Sequence, residues 1–177
     1  MGNKVIINGQ QFEASSISMP ESGRLFRSAW NAPKNGVIQL DIEKVGEMCH
    51  SKREEWRKKM DTQPFPYDGD TFDKDELSIN RIIGLRQMSR DAVEDGTTLE
   101  AQITALGGPT VFISSSNKEH QITDSWVKGL FQAMSAHTVT VHGQNESKKS
   151  EIDTAVSVND LSALKTIYED MVIYLES

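Results

Sequence analysis

The chain has little of several things, and each shortage removes a class of function. Its 177 residues contain one cysteine, Cys49, which rules out an internal disulfide and a cysteine-rich zinc module. No uninterrupted apolar run approaches the about 18 residues that a membrane-spanning helix needs. The opening Met-Gly-Asn-Lys-Val-Ile-Ile lacks the apolar stretch of a signal peptide. Cations are scarce: 19 Lys and Arg stand against 26 Asp and Glu, for a formal charge of -7. Phosphate binding needs clustered Lys and Arg, so a nucleic-acid binder is not expected. Apolar residues make up only 37% and the mean hydropathy is -0.48. Such a chain has a thin core and an elongated or interface-rich shape.

Catalytic parts are missing in the same way. There is no G-x-S-x-G elbow, no H-E-x-x-H, and no glycine-rich phosphate loop at Gly107-Gly108. Cys49 and His50 are neighbours on a helix and diverge by about 100°, which does not make a dyad. The four histidines, His50, His120, His137 and His142, have no ligand spacing. His137 falls on the apolar side of its helix, a place for packing. No catalytic residue, metal or cofactor is expected, and the chain is not expected to be an enzyme.

What is present reads as short hairpins leading into helices. Asn8-Gly9 between Val5-Ile6-Ile7 and Gln11-Phe12-Glu13 supplies the positive φ angles of a tight turn. Residues 14–36 are dense in Ser, Pro, Gly and Asn and read as loop. Val37–Leu40 is strand-like and Asp41 caps a helix to about Met60, ended by Pro64 and Pro66. Asp68-Gly69 makes a second hairpin turn, and Asp73 with Glu76 makes a capping box for a helix that stops near Asp95-Gly96. A short helix carries Leu99, Ile103 and Leu106. Residues 110–122 form another strand pair, and Thr123 or Asp124 caps a helix with Trp126, Leu130, Met134, His137 and Val141 at helical spacing. Residues 142–154 are polar and read as exposed. A last helix carries Leu161, Leu164, Tyr168, Met171 and Leu175 three and four apart, a seam that serves internal packing or pairing between chains. The fold class is α+β, helix-dominated, with short β-hairpins preceding helices and a loop-rich N-terminal region. Its expected parts are 1–36, a hairpin and docking segment; 37–154, the main domain; and 155–177, the C-terminal helix.

Two clusters invite a functional reading. Asp68, Asp70, Asp73, Asp75 and Glu76 resemble a calcium loop in density, but the EF-hand order is not met. A hairpin turn followed by a helix cap explains every one of these positions. The second is an apolar island in the 14–36 loop: Leu25, Phe26, Ala29 and Trp30 beside Arg24 and Arg27. Arg, Phe and Trp are residue types prominent at protein interfaces, so Arg24, Phe26, Arg27 and Trp30 form the candidate partner-binding set. Packing of the same island on this chain's own helices is an equal alternative. The basic stretch Lys52–Lys59 is interleaved with Glu54 and Glu55 and reads as a solvated face.

The series Arg24-Leu-Phe26-Arg27-Ser-Ala-Trp30 resembles an Arg-x-Phe-Arg-x-Ala-Trp signature found near the start of small bacteriophage tail proteins. The order of later pieces is similar too: a charged helix at 41–60, the hairpin Tyr67-Asp-Gly69-Asp-Thr-Phe72-Asp73, then Ser78-x-x-Arg81-Ile82, a strand pair, and a helix with Ala136-His137. Over 24–153 the chain resembles a phage-tail domain family of unassigned function, encoded near tail-fibre genes. The resemblance implies a structural component of a tail or baseplate, linking a fibre or tip protein to the tail. A tail-fibre assembly chaperone absent from the mature virion is the alternative. Its partners would be other phage tail, baseplate or fibre proteins in a symmetric multi-copy assembly. Its location would be the virion tail, after assembly in the host cytoplasm. On this reading, removing 1–36 is expected to abolish incorporation and leave 37–177 folded.

Overall fold

The computed structural model describes residues 4–16, 18 and 24–177. Among them are eight short strands and five α-helices, the α+β architecture with helices dominating. The strands form four separate antiparallel pairs: β1 (Lys4–Ile7) with β2 (Gln10–Glu13), β3 (Trp30–Lys34) with β4 (Val37–Leu40), β5 (Phe65–Tyr67) with β6 (Asp70–Phe72), and β7 (Val111–Ile113) with β8 (Glu119–Gln121). Three of them share one turn chemistry. Asn8-Gly9, Asn35-Gly36 and Asp68-Gly69 all have positive φ at both residues, which is what a two-residue I′ turn demands.

The β4 strand is the strand-like Val37–Leu40, but its partner β3 lies in the 14–36 stretch whose composition reads as loop. Pro33 lies in the stretch between Asn31 and Lys34 where the ladder register shifts, and a proline has no N–H to give a ladder. The Asn35-Gly36 turn still closes the hairpin, so turn chemistry outweighed loop composition here.

The helices are α1 (Ile42–Asp61), α2 (Glu76–Glu94), α3 (Leu99–Ala105), α4 (Asp124–Ser157) and α5 (Leu161–Glu176). Asp41 caps α1 by accepting from the Lys44 amide at 3.2 Å. The cap of α2 is Asp75, which accepts from the Ser78 amide at 2.7 Å; Asp73, the residue expected in a capping box, is engaged elsewhere. Thr123 accepts from the Trp126 amide at the start of α4, and Asp160 from Ala163 at the start of α5.

The polar stretch 142–154 belongs to α4, contrary to its composition. Val141, Asn145, Ile152 and Ala155 are all buried. Their spacing keeps the helical period, and Asn145 stands at a position where an apolar residue would have revealed it.

Contacts group the chain into two compact units, 1–57 with 144–177, and 58–143. The first unit's core joins Phe26, Ala29, Val45, Cys49, Ile152, Ala155 and Leu164. Residues near both ends of the chain therefore share one core. The α5 seam faces inward: Leu164 and Met171 are buried, and Leu161 and Tyr168 pack against that cluster. The second unit holds two clusters, one around Phe65, Phe72, Ile82, Leu130 and Met134, the other around Leu99, Ile103, Ile122 and Val127.

Candidate functional site

The acidic hairpin β5–β6 and the serine-rich turn of β7–β8 meet inside the second unit. Asp70 is the hub, its side chain only 5% exposed. It accepts from Ser114 Oγ at 2.7 Å, from Ser116 Oγ at 2.8 Å and from its neighbour's amide, Thr71 N, at 2.8 Å. His120 Nε2 lies 3.3 Å from the same carboxylate, and His120 Nδ1 lies 3.5 Å from Asp68. Asp68 in turn accepts from the Trp126 indole N–H at 2.9 Å. Ser115 donates to Asp73 at 2.8 Å, and its amide donates to the Thr71 carbonyl at 3.0 Å.

The chemistry of this arrangement follows from who donates to whom. The Ser114 and Ser116 hydroxyls hold the Asp70 carboxyl well below the usual carboxylate range, because donors to the charged form stabilise it. A carboxylate of such low proton affinity is a poor general base. No serine to histidine bond is present in the cluster, so neither residue activates the other in the manner of a nucleophile and its base. The cluster acts as a clasp: two hairpins, each too short to be stable alone, are joined through charge-assisted hydrogen bonds.

Aromatic packing backs the clasp. His120 stacks on Trp126 with centroids 5.5 Å apart and an interplanar angle of 23°, and Phe72 lies 5.8 Å from Trp126. The Tyr67 hydroxyl donates to the Trp126 carbonyl at 3.0 Å. Gly129 makes this possible, because a Cβ there would fall 2.2 Å from the Tyr67 hydroxyl oxygen.

Four of the five residues of the acidic cluster thus have assigned work: Asp68, Asp70 and Asp73 in the clasp, Asp75 as a helix cap. Among the described residues no group of three or more His, Cys, Asp or Glu is arranged to hold a metal ion. Sequence patterns present His120 only as a histidine without ligand spacing and Trp126 only as part of an apolar helix face, and give Ser114, Ser115 and Ser116 no role. The available signal was complementarity, three consecutive hydroxyl donors on one turn and alternating carboxylates on another, but nothing local says that the turns meet.

The island Arg24–Trp30 is divided by the structure. Phe26 is fully buried, its ring edge-on to Tyr168 at 5.4 Å, and Ala29 is buried beside it. Phe26 therefore belongs to the first unit's own core and offers a partner no surface. Arg24 and Arg27 are exposed and Trp30 is half-buried, with the Arg27 guanidinium 5.9 Å from the Trp30 ring centroid.

A second feature of the 58–143 unit is a groove of about 600 Å³ between α2, α3 and β7, lined mainly by apolar side chains. Ile103 and Ile122 form buried parts of its lining, and Leu106 and Ile113 stand exposed on it, at 77% and 50%. His137 lies elsewhere in this unit, its Nδ1 3.1 Å from the buried Lys74 ammonium. Burial and that neighbouring cation push His137 below the ordinary histidine value, with Asp61 opposing. Burial likewise pushes Lys74 down.

Residues 49–170 match a family model described as a domain of unknown function, DUF4376. No curated protein and no solved structure matches the chain.

Proposed function

Since the chain belongs to the DUF4376 family, whose description carries no activity, we propose from its own residues that it is a structural adaptor of a bacteriophage tail or baseplate, linking a fibre or tip protein to the tail. The observation that carries the reading is the clasp. Ser114, Ser116 and His120, side chains well suited to chemistry, converge on one carboxylate of low proton affinity, and Ser115 is engaged with Asp73. They fasten hairpins to each other, which supports binding as the task of this unit. The Arg24–Trp30 signature and the order of hairpin, Ser-x-x-Arg-Ile helix and strand pair support a phage tail as the setting. Partners on this reading are other tail, baseplate or fibre proteins, met in a symmetric multi-copy assembly in the virion.

Quantitative mass spectrometry of purified mature virions tests it. Peptides of this chain in a fixed ratio to a known tail protein are the expected result. Absence from particles, with abundance in the infected-cell lysate, overturns the adaptor and favours a chaperone that leaves before maturation. In that case co-expression would raise the yield of soluble fibre protein.

A further inference from the structure

We infer that the outer edge of β7 is an acceptor site for one extended strand of a partner protein, apolar at alternate positions and carrying a carboxylate. The Ile122 amide donates to the Thr110 carbonyl at 2.9 Å and the Ser114 amide to the Lys118 carbonyl at 3.0 Å. In an antiparallel pair the inward and outward residues alternate, so Thr110, Phe112 and Ser114 turn their backbone groups towards β8. Val111 and Ile113 turn theirs away, and among the described residues nothing pairs with them.

That open edge borders the apolar groove, which Val111 and Ile113 line together with Arg81, Gly84 and Leu106. Gly84 lies inside α2, where alanine is the better helix former. Nothing lies within 4 Å of the place its Cβ would take, so the chain's own packing does not call for glycine there. Open space, an apolar lining and unpaired backbone groups coincide at one place.

The backbone decides the form of the occupant. A helix satisfies its own N–H and C=O groups and would leave those of Val111 and Ile113 unmet, whereas an added strand meets them, as in β-augmentation. Charge decides its composition. Arg81 is the ionisable residue in the groove lining and is exposed, so a carboxylate on the entering strand is favoured. The β7 strand of a second copy, Val-Phe-Ile flanked by Thr110 and Ser114, brings no carboxylate to Arg81 and fits less well. The inference deepens the adaptor reading by giving the partner's chemistry and rests on that reading for its biological setting. Its assay is separate: a failure here refutes the edge, while virion composition alone refutes the adaptor.

The experiment uses the full chain, isotope-labelled, and synthetic peptides of alternating Val and Thr with one Asp scanned along the sequence. For at least one Asp position, the amide resonances of Val111 and Ile113 are expected to shift saturably by millimolar peptide. The sibling with Lys in place of Asp should bind several-fold more weakly, and one N-methylated on alternate residues should not bind. Gly84→Phe, which fills the groove from an open helix position, should lose the response with helicity unchanged. Ile113→Pro serves as a second variant, since it removes an N–H that the β7–β8 ladder does not use. No saturable shift with any Asp register overturns the inference, as does equal binding of the Lys and Asp peptides. So does a dimer that Ile113→Pro converts to monomer, because a second copy then occupies the edge.

Discussion

At the scale of single residues, His137 and Phe26 show how burial turns ordinary side chains into structural commitments. His137 has its folded pKa pushed down by burial and by the Lys74 charge. The unfolded chain then binds the proton more readily, near the usual value of about 6.5. Stability from this site is present above that pH and is lost as pH falls through it towards the folded pKa. Melting temperature should therefore fall as the pH is lowered through about 6.5, and His137→Gln should flatten that part of the profile. An unchanged slope in the variant would assign the pH dependence to other groups. Phe26 matters for a different reason. Its ring is fully buried among Val45, Cys49 and Leu164, so Phe26→Ala should cost about 3–5 kcal/mol in urea unfolding. Removal of residues 1–36, which loop composition presents as harmless to the remainder, takes both Phe26 and Ala29 from that core. A truncated chain that fails to enter virions would then report lost folding as much as lost docking.

At the scale of elements, two glycines of α4 should respond in opposite ways. Gly143→Ala meets nothing within 4 Å and should stabilise by up to about 1 kcal/mol through helix propensity. Gly129→Ala gains the same propensity but drives a methyl into Tyr67, whose hydroxyl bonds the Trp126 carbonyl. A net loss of about 1–3 kcal/mol is expected, read by thermal unfolding of the two variants side by side. The same contrast explains what the sequence could tell. Elements announced by local chemistry were legible: the Asn8-Gly9 and Asp68-Gly69 turns, the Asp41 cap, the apolar period of α5. The continuation of α4 through 142–154 was hidden because Asn145 interrupts the apolar period. The clasp was hidden because its halves, Asp70 and Ser114, lie far apart in sequence, and a hydroxyl-rich turn looks the same whether or not it faces a carboxylate. For the Arg24–Trp30 island the residue types were informative and the environment was not, since an aromatic that suits an interface also suits a core.

At the scale of the molecule, the 58–143 unit draws its clusters from a continuous stretch, whereas the other unit draws on 1–57 and 144–177. A chain ending at residue 143 should keep slow amide exchange in β5, β6 and the Leu130 region of α4. The segment 26–49 should exchange freely, because Ile152, Ala155 and Leu164 are gone. Hydrogen exchange read by mass spectrometry checks this, and protection of 26–49 in the shortened chain would show that its partners in the core are dispensable.

A core built from both ends of the chain also sets an order of events on the ribosome. The usual expectation is that what is made first folds first, at a synthesis rate of about 5–20 residues per second. Here the middle of the chain has all its contacts available while the beginning still waits. Phe26 and Val45 meet Leu164 only after the whole intervening 58–143 unit has been made. For the seconds in between, the apolar N-terminal segment is unsheltered, and that interval is when a nascent-chain chaperone would find it.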